Sequence, residues 1–235
     1  MASVALCNRV ITCHTILLKT IFLPLNDTLL IESHYLGNIQ YYAELLQHPF
    51  IVLEQYEFFE KSTYRNRCYI AGSNGKLMLS IPLIGGRQQR TMTKDVRIDY
   101  SYPWQKSHWH SLESAYRSTA FFDYYQDSFY PLYKQQQTFL FDFNLQLLLT
   151  VFKLLKVERT VTFSEEYRKA YPPEQFTDLR NKIHPNRQTY SSTSFHPMPA
   201  YFQIFAHKYG FLPNLSIIDL LFAKGPDALH YLQVD

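Results

Sequence analysis

The stretch LLIESHYLGNIQYYAELLQHPFIVL, residues 29–53, decides the fold. Leu29-Leu30-Ile31 is a short apolar run followed by polar residues and a glycine, which is typical of a strand that ends in a loop. Residues 39–47 carry apolar side chains near helical spacing, and Pro49 blocks continuation of that helix. Phe50 to Leu53 is a second short apolar strand. Strand, helix and strand in this order predict two parallel strands joined by a crossover helix.

A β-hairpin is predicted next along the chain. Residues 64–71 and 76–82 are β-rich, and between them Gly72-Ser73-Asn74-Gly75 contains an Asn-Gly step. That step supplies the positive φ values that a tight hairpin turn requires. Residues 96–100 then alternate as a half-exposed strand does.

From Pro103 onward the pattern becomes helical. Further helices are predicted at 121–130 and 138–156, the second apolar around most of its surface, as a buried central helix is. A short strand at 159–163 and a long proline-rich loop at 170–199 follow. The remaining predicted elements are a helix at 201–208 and a second helix that begins after Ser216 and ends at Gly225.

These patterns predict an α/β protein with a single domain. Its mixed sheet opens with the β-α-β unit and the hairpin, and a mainly helical C-terminal half follows. Residues 29–235 form that domain, and residues 1–28 are interpreted as an irregular N-terminal extension. The extension is rich in Ile, Leu and Val, but polar residues interrupt it before it reaches the ~20 apolar residues that a bilayer demands. No transmembrane segment is therefore expected.

Composition excludes several classes of function. A formal net charge of +3 is too small for a protein that gains its affinity by neutralising many phosphates, so DNA is not an expected partner. Three cysteines without paired spacing predict neither a disulfide framework nor a metal site, and favour a reducing, cytoplasmic location. Neither a dinucleotide fingerprint nor a phosphate-binding loop is present. The aromatic fraction of 17% means that many rings either pack in the core or line a cleft.

The basic tetrapeptide Tyr64-Arg65-Asn66-Arg67 is the first candidate site. In a strand, Arg65 and Arg67 extend from one face, where two guanidinium groups suit a phosphate or a carboxylate. On spacing alone, a solvated edge strand is the stronger alternative. Glu57 lies within a carboxylate cluster just upstream and could serve as a general base, although pairing with the arginines is favoured.

A second candidate is the pair Trp104 and His108, four residues apart on one face of the predicted helix. An indole beside an imidazole can bind a base or a sugar ring and transfer a proton near neutral pH. The same two side chains can equally fill a core.

The order of several short blocks resembles the WbqC-like family of bacterial proteins. The blocks are residues 35–42, residues 57–67 with Tyr-Arg-Asn-Arg, the Asn74-Gly75 hairpin with the Leu-Ser-Ile-Pro run that follows, residues 104–122, and the Phe-Asn helix at 141–144. The resemblance begins near residue 30 and extends to the C-terminus. Gly37 stands where the family pattern has a proline.

This resemblance implies a role in surface-polysaccharide synthesis, such as that of O-antigen, by group transfer onto a nucleotide- or lipid-linked sugar. His108 and Glu57 are then the candidate catalytic residues, no metal or particular cofactor is implied, and the candidate substrate-binding residues are Tyr35, Gln40, Lys61, Tyr64, Arg65, Asn66, Arg67 and Trp104. The alternative is a non-catalytic binding or scaffold protein of the same machinery. A single-stranded RNA binder is the weakest interpretation, because the net charge is low.

Overall fold

A four-stranded parallel sheet and a separate hairpin make up the β structure of the computed structural model, which describes residues 27–85, 90–185 and 199–233. The parallel sheet contains β1 (Thr28–Glu32), β2 (Phe50–Glu54), β5 (Thr160–Phe163) and β6 (Phe176–Asp178) in the order β5-β2-β1-β6. The hairpin consists of β3 (Arg67–Gly72) and β4 (Gly75–Ser80). The predicted α/β class with a hairpin is confirmed, but the strands form two sheets rather than one mixed sheet.

The β-α-β unit is present as predicted. Helix α1 (Ile39–Gln47) connects β1 to β2, and the Asn38 side chain caps it by accepting from the Tyr41 N–H at 2.9 Å. Thr28 pairs with Phe50 and Glu32 pairs with Glu54, so the two parallel strands begin and end at the same level. This register brings Glu32 and Glu54 side by side at the carboxyl edge of the sheet.

Six further helices follow the hairpin within the described residues. They are α2 (Trp104–Tyr116), α3 (Phe122–Phe129), α4 (Leu140–Leu155), α5 (Ala206–Tyr209), α6 (Ile217–Lys224) and α7 (Ala228–Leu232). Short 3-10 turns cover Thr93–Asp95, Tyr130–Tyr133 and Gly225–Asp227. The Ser216 side chain caps α6 and Gly225 ends it, as the sequence predicts.

Four expectations about local structure need correction. Residues 96–100 form isolated bridges from Arg97 and Ile98 instead of a strand. The predicted loop 170–199 contains β6, which the sequence does not predict because only three residues pair with β1. The helix expected at 201–208 is the shorter α5, and α7 was not predicted. Residues 1–26 and 186–198, which include most of the predicted extension and part of that loop, lie outside the described residues.

The core joins the parallel sheet to the helical half through α4. Phe141 and Phe152 of α4 meet Phe163 of β5 and Tyr42 of α1, with ring centroids 5.6 and 6.3 Å apart. In the same helix, the Asn144 amide donates to the Arg65 carbonyl at 2.7 Å. This buried bond anchors the turn that carries Arg65. No helix in the described part of the chain is both long and apolar enough to cross a membrane.

Candidate functional site

The candidate site lies at the carboxyl edge of the parallel sheet. Strand β1 sits between β2 and β6, and the chain leaves β1 towards β2 while β6 occupies the opposite side. Ligands of open parallel sheets bind at such a reversal, just beyond the carboxyl ends of the strands. A polar cavity of about 380 Å³ opens there. Its lining residues are Glu57, Tyr167, Lys169, Asp178, Arg180, Asn181 and Lys182.

The Arg65 side chain lies buried beneath this cavity with no solvent exposure. Its Nε donates to Oε1 of Glu57 at 3.0 Å, and its Nη2 donates both to the same oxygen and to Oδ1 of Asn181, the latter at 2.7 Å. Nη1 lies 3.8 Å from Oε1 of Glu32 and makes no hydrogen bond within the described residues. Two acidic side chains therefore flank one buried guanidinium and give it the partners that a buried charge requires.

Glu32 is the fully buried member of the carboxylate pair. His34 Nε2 lies 3.3 Å from Oε1, and the Asn181 N–H donates to Oε2 at 3.0 Å. Burial alone would raise the pKa of Glu32, but Arg65, His34 and the Asn181 N–H outweigh burial and hold the pKa at about 2. Glu32 is thus ionised at neutral pH and places a permanent negative charge beside Arg65.

Glu57 differs from the fully buried Glu32 because its side chain lines the cavity. Burial raises the pKa of Glu57 to about 7, Arg65 opposes the rise, and the neighbouring Glu32 and Glu54 carboxylates add to it. Arg65 occupies Oε1, and Oε2 forms no hydrogen bond within the described part of the chain. A fixed carboxyl group with one oxygen unbonded and a pKa near neutrality can both accept and release a proton.

Arg180 forms the charged wall of the cavity. It pairs with Glu54 at 3.1 Å and with Asp178 at 2.7 Å, and its guanidinium lies 5.5 Å from the centroid of the Tyr167 ring. Glu54 also accepts from the Ser164 hydroxyl at 2.7 Å. These contacts hold Arg180 and the carboxylates of β2 and β6 in one network.

Comparison with known proteins identifies the family of the chain. The family model described as the WbqC-like protein family matches residues 32–194, which span the sheet edge and its charged network. The chain belongs to the WbqC-like protein family.

A protein of Mycobacterium tuberculosis described as uncharacterized protein Rv1507c is 26% identical over 207 residues, which cover 78% of this WbqC-like chain and 87% of the relative. No solved structure matches.

Part of the predicted site assembles in this WbqC-like protein. Glu57 and Arg65 pair as favoured, and the Tyr64 ring lies 5.4 Å from His34, beside the network. The prediction that Arg65 and Arg67 extend from one strand face is wrong, because β3 begins only at Arg67. Arg65 lies in a preceding turn, where the Thr63 hydroxyl donates to the Glu60 carbonyl at 2.8 Å and so closes the bend.

Four other predicted residues lie away from the sheet-edge cavity. Asn66 joins the hairpin to the residue after β4, since its amide donates to the Ile81 carbonyl at 2.9 Å. Gln40 is buried at the start of α1, with its N–H donating to Asn214 Oδ1 at 3.1 Å. Lys61 is exposed, and Arg67 is half-buried. None of the four lines the cavity.

Tyr35, Trp104 and His108 form a second, separate cluster. The Tyr35 hydroxyl lies 2.9 Å from Nδ1 of His108 and 2.7 Å from the Tyr133 hydroxyl, while the Trp104 and His108 ring centroids are 5.1 Å apart. Burial lowers the pKa of His108 to about 4, against the opposing effect of the Ser80 backbone. The ring is therefore neutral at pH 7. Its catalytic role stays a prediction, and its burial away from the lining of the sheet-edge cavity weighs against it.

Sequence reasoning missed several residues of the sheet edge. Glu32 carried a usable signal, because a carboxylate directly after an apolar strand falls at the edge where ligands of parallel sheets bind. Arg180, Asn181 and Lys182 carried none, because β6 was not recognised. Asn181 adopts φ +58°, a conformation that asparagine tolerates better than most residues.

Proposed function

We propose that this WbqC-like protein is an enzyme of surface-polysaccharide synthesis that transfers a group onto a nucleotide- or lipid-linked sugar at the carboxyl edge of its parallel sheet. The family membership supports the general role. The polar cavity, with charges of both signs and one exposed tyrosine ring, supports a phosphorylated and hydroxyl-rich substrate.

The observation that carries the proposal is the environment of Glu57. Its pKa near 7 gives comparable populations of the ionised and protonated forms at neutral pH. The ionised form accepts the proton of the attacking hydroxyl or amine as the new bond forms. The protonated form then returns that proton to the leaving group or to water. Arg65 positions the carboxyl group and limits its rotation.

The phosphate of the substrate is assigned to the cations of the cavity rather than to Arg65 and Arg67. Arg65 is already engaged by Glu57 and Glu32 in the buried network. Lys169 and Lys182 are exposed and form no ion pair within the described residues. Two unpaired ammonium groups beside the fixed Arg180 offer an anion its strongest contacts in the cavity.

The alternative function is a non-catalytic binding or scaffold protein. It is favoured by the same ion network, since a buried network also fixes a unique packing without any chemistry. Only the enzyme forms product, so an assay of turnover distinguishes the two functions.

The test begins with thermal-shift screening of the purified chain against nucleoside-diphosphate sugars, polyprenyl-phosphate sugars, and acyl and aminoacyl donors. Compounds that stabilise the fold are then assayed in pairs for product by mass spectrometry. Glu57→Gln should keep binding and lose turnover by at least about 100-fold, the usual contribution of a general acid or base. Lys169→Ala with Lys182→Ala should weaken binding of the phosphorylated compound.

The matched control is Lys61→Ala, which removes an exposed lysine that does not line the cavity. Full turnover by a folded Glu57→Gln variant contradicts the acid-base role. Stabilisation by sugar compounds without turnover for any pair supports the binding protein instead.

A further inference from the structure

A second cavity lies on the helical half of the molecule. It measures about 590 Å³ and lies between α2, the loop that precedes it, and the 3-10 turn Tyr130–Tyr133. We call it the aromatic groove, and its lining residues are Tyr100, Tyr102, Pro103, Gln105, Lys106, Trp109, His110, Glu113, Tyr130, Tyr133, Lys134 and Gln136. It shares no lining residue with the sheet-edge cavity.

The spacing of α2 builds one wall of this groove. Lys106, Trp109, His110 and Glu113 recur three and four residues apart, so their side chains share one face of the helix. The opposite face of α2 is the apolar one, with Trp104, His108 and Leu112 in the core. Lys106 and His110 are therefore exposed on the groove side of α2, while Trp109 is half-buried between the groove and the core.

Two tyrosine rings of the groove, Tyr102 and Tyr130, are open to a ligand. Trp109 lies 4.9 Å from the Tyr130 ring and 5.7 Å from the Tyr133 ring, centroid to centroid. Tyr102 is 59% exposed and Tyr130 is 39% exposed, so much of their ring surface faces solvent. Flat rings of this kind favour a planar aromatic ligand, because a base can stack on them.

The charges of the groove favour an anion. Lys106 and Lys134 form no ion pair within the described chain, and the Lys134 ammonium lies 4.8 Å from the centroid of the Tyr130 ring. Glu113 is the single acidic residue among the lining residues. An ammonium group next to an open ring presents a cation and a stacking surface to the same ligand.

We propose that the aromatic groove binds a nucleoside phosphate, with the base stacked on Tyr102, Tyr130 or Trp109 and the phosphate held by Lys106 and Lys134. A neutral saccharide would use the rings but leave both lysines without a role. Inorganic phosphate would use the lysines but leave the rings uncovered. Because the aromatic groove and the sheet-edge cavity share no lining residue, nucleotide binding at the groove can be tested independently of the role proposed for Glu57.

The fluorescence of Trp109 reports directly on binding at the groove. The chain has two tryptophans, of which Trp104 is 1% exposed and Trp109 lines the groove. Titration of the full chain with AMP, UMP, CMP and GMP should quench tryptophan fluorescence in a saturable way, and Trp109→Phe should abolish the quenching. Isothermal calorimetry on the same samples detects binding that leaves the fluorescence unchanged.

Variants separate the two halves of the ligand. Tyr102→Ala should weaken nucleotide binding at least fivefold, whereas Tyr124→Ala, a 78% exposed ring outside the groove, should not. Lys106→Ala with Lys134→Ala should weaken nucleotides at least tenfold and reduce the preference for nucleotides over nucleosides. The control is Lys153→Ala, an exposed lysine of α4 outside the groove.

Three results would overturn the proposal. Neutral oligosaccharide binding in the absence of nucleotide binding would make the groove a saccharide site. Equal affinity for inorganic phosphate and nucleotides would remove the stacking role. No binding by either method up to about 10 mM nucleotide would exclude a nucleotide site. Glu57→Gln should retain full nucleotide binding at the groove even if turnover at the sheet edge is lost.

Discussion

Arg65 donates from both Nε and Nη2 to a single oxygen of Glu57, Oε1. The usual arginine–carboxylate pair uses both oxygens of the acid, in two parallel bonds. The one-sided arrangement here holds the carboxyl group in place and leaves Oε2 without a hydrogen bond in the described residues, on a side chain that lines the cavity. The pair thus combines a structural contact with an available acid or base.

Removal of Arg65 should destabilise the fold strongly. Arg65→Ala leaves Glu32 and Glu57 as neighbouring buried carboxylates without a cation, which typically costs about 3–5 kcal/mol in the free energy of unfolding. The matched control is Arg168→Ala, because Arg168 pairs with Glu166 while 60% exposed, and a solvent-exposed pair of this kind contributes little to stability. Urea denaturation of both variants measures the difference, and equal losses would contradict the role assigned to the buried network.

Glu57 should make stability fall as pH rises towards neutrality. Its pKa is about 7 in the folded chain against an ordinary value of 4.5, so the folded chain keeps a proton that the unfolded chain releases. The folded state binds more protons between these values, and the free energy of unfolding contributed by Glu57 therefore decreases from pH 4.5 to pH 7.

Glu57→Gln cannot ionise, so the variant should lose this contribution. The quantity to compare is the free energy of unfolding of the wild type minus that of the variant, measured in urea at pH 5 and at pH 7. It should be lower at pH 7. A difference that rises with pH would mean that Arg65 keeps Glu57 ionised in the folded chain.

His108 acts with the opposite sign in an overlapping window. Its folded pKa is about 4 against an ordinary 6.5, so the unfolded chain takes up a proton that the folded chain excludes. The stability contributed by neutral His108 is present above pH 6.5 and is lost as pH falls towards 4.

His108→Gln should flatten this loss while keeping a polar partner for the Tyr35 hydroxyl. The control is His110→Gln, an exposed histidine of the same helix. NMR titration of the His108 ring should give a midpoint well below 6.5. Loss of turnover in a fully folded His108→Gln variant would restore the acid or base role that the sequence pattern suggested.

Gly37→Ala should destabilise the loop between β1 and α1. A Cβ at this position would lie 2.6 Å from Cδ1 of Tyr41, a ring that stacks on His34 at 4.2 Å. Overpacking of this kind usually costs about 1–3 kcal/mol. Thermal or urea unfolding measures the loss.

A double-mutant cycle with Tyr41→Leu tests the cause. If the clash is with the Tyr41 ring, part of the loss from Gly37→Ala should disappear in the Tyr41→Leu background. Strictly additive losses would place the strain elsewhere in the loop.

Local pattern was sufficient for most of the fold. Continuous apolar runs at β1 and β2, the Asn-Gly turn at residues 74–75, and the periodicity of α1, α2 and α4 each determine their element through interactions a few residues apart. β6 was not predicted, because three residues in a proline-rich segment form a strand only by pairing with β1. Long-range pairing of that kind leaves no periodic signal.

The candidate site shows the same division. The sequence by itself determined that Glu57 and Arg65 are near each other and of opposite charge, and that Trp104 and His108 share a helix face. Only the tertiary structure decided that Arg65 is buried between two carboxylates, that Asn181 joins them, and that His108 lies in a different cluster. The physical reason is that proton affinity and charge pairing depend on burial and on neighbours distant in sequence. Chain packing sets both after the local elements have formed.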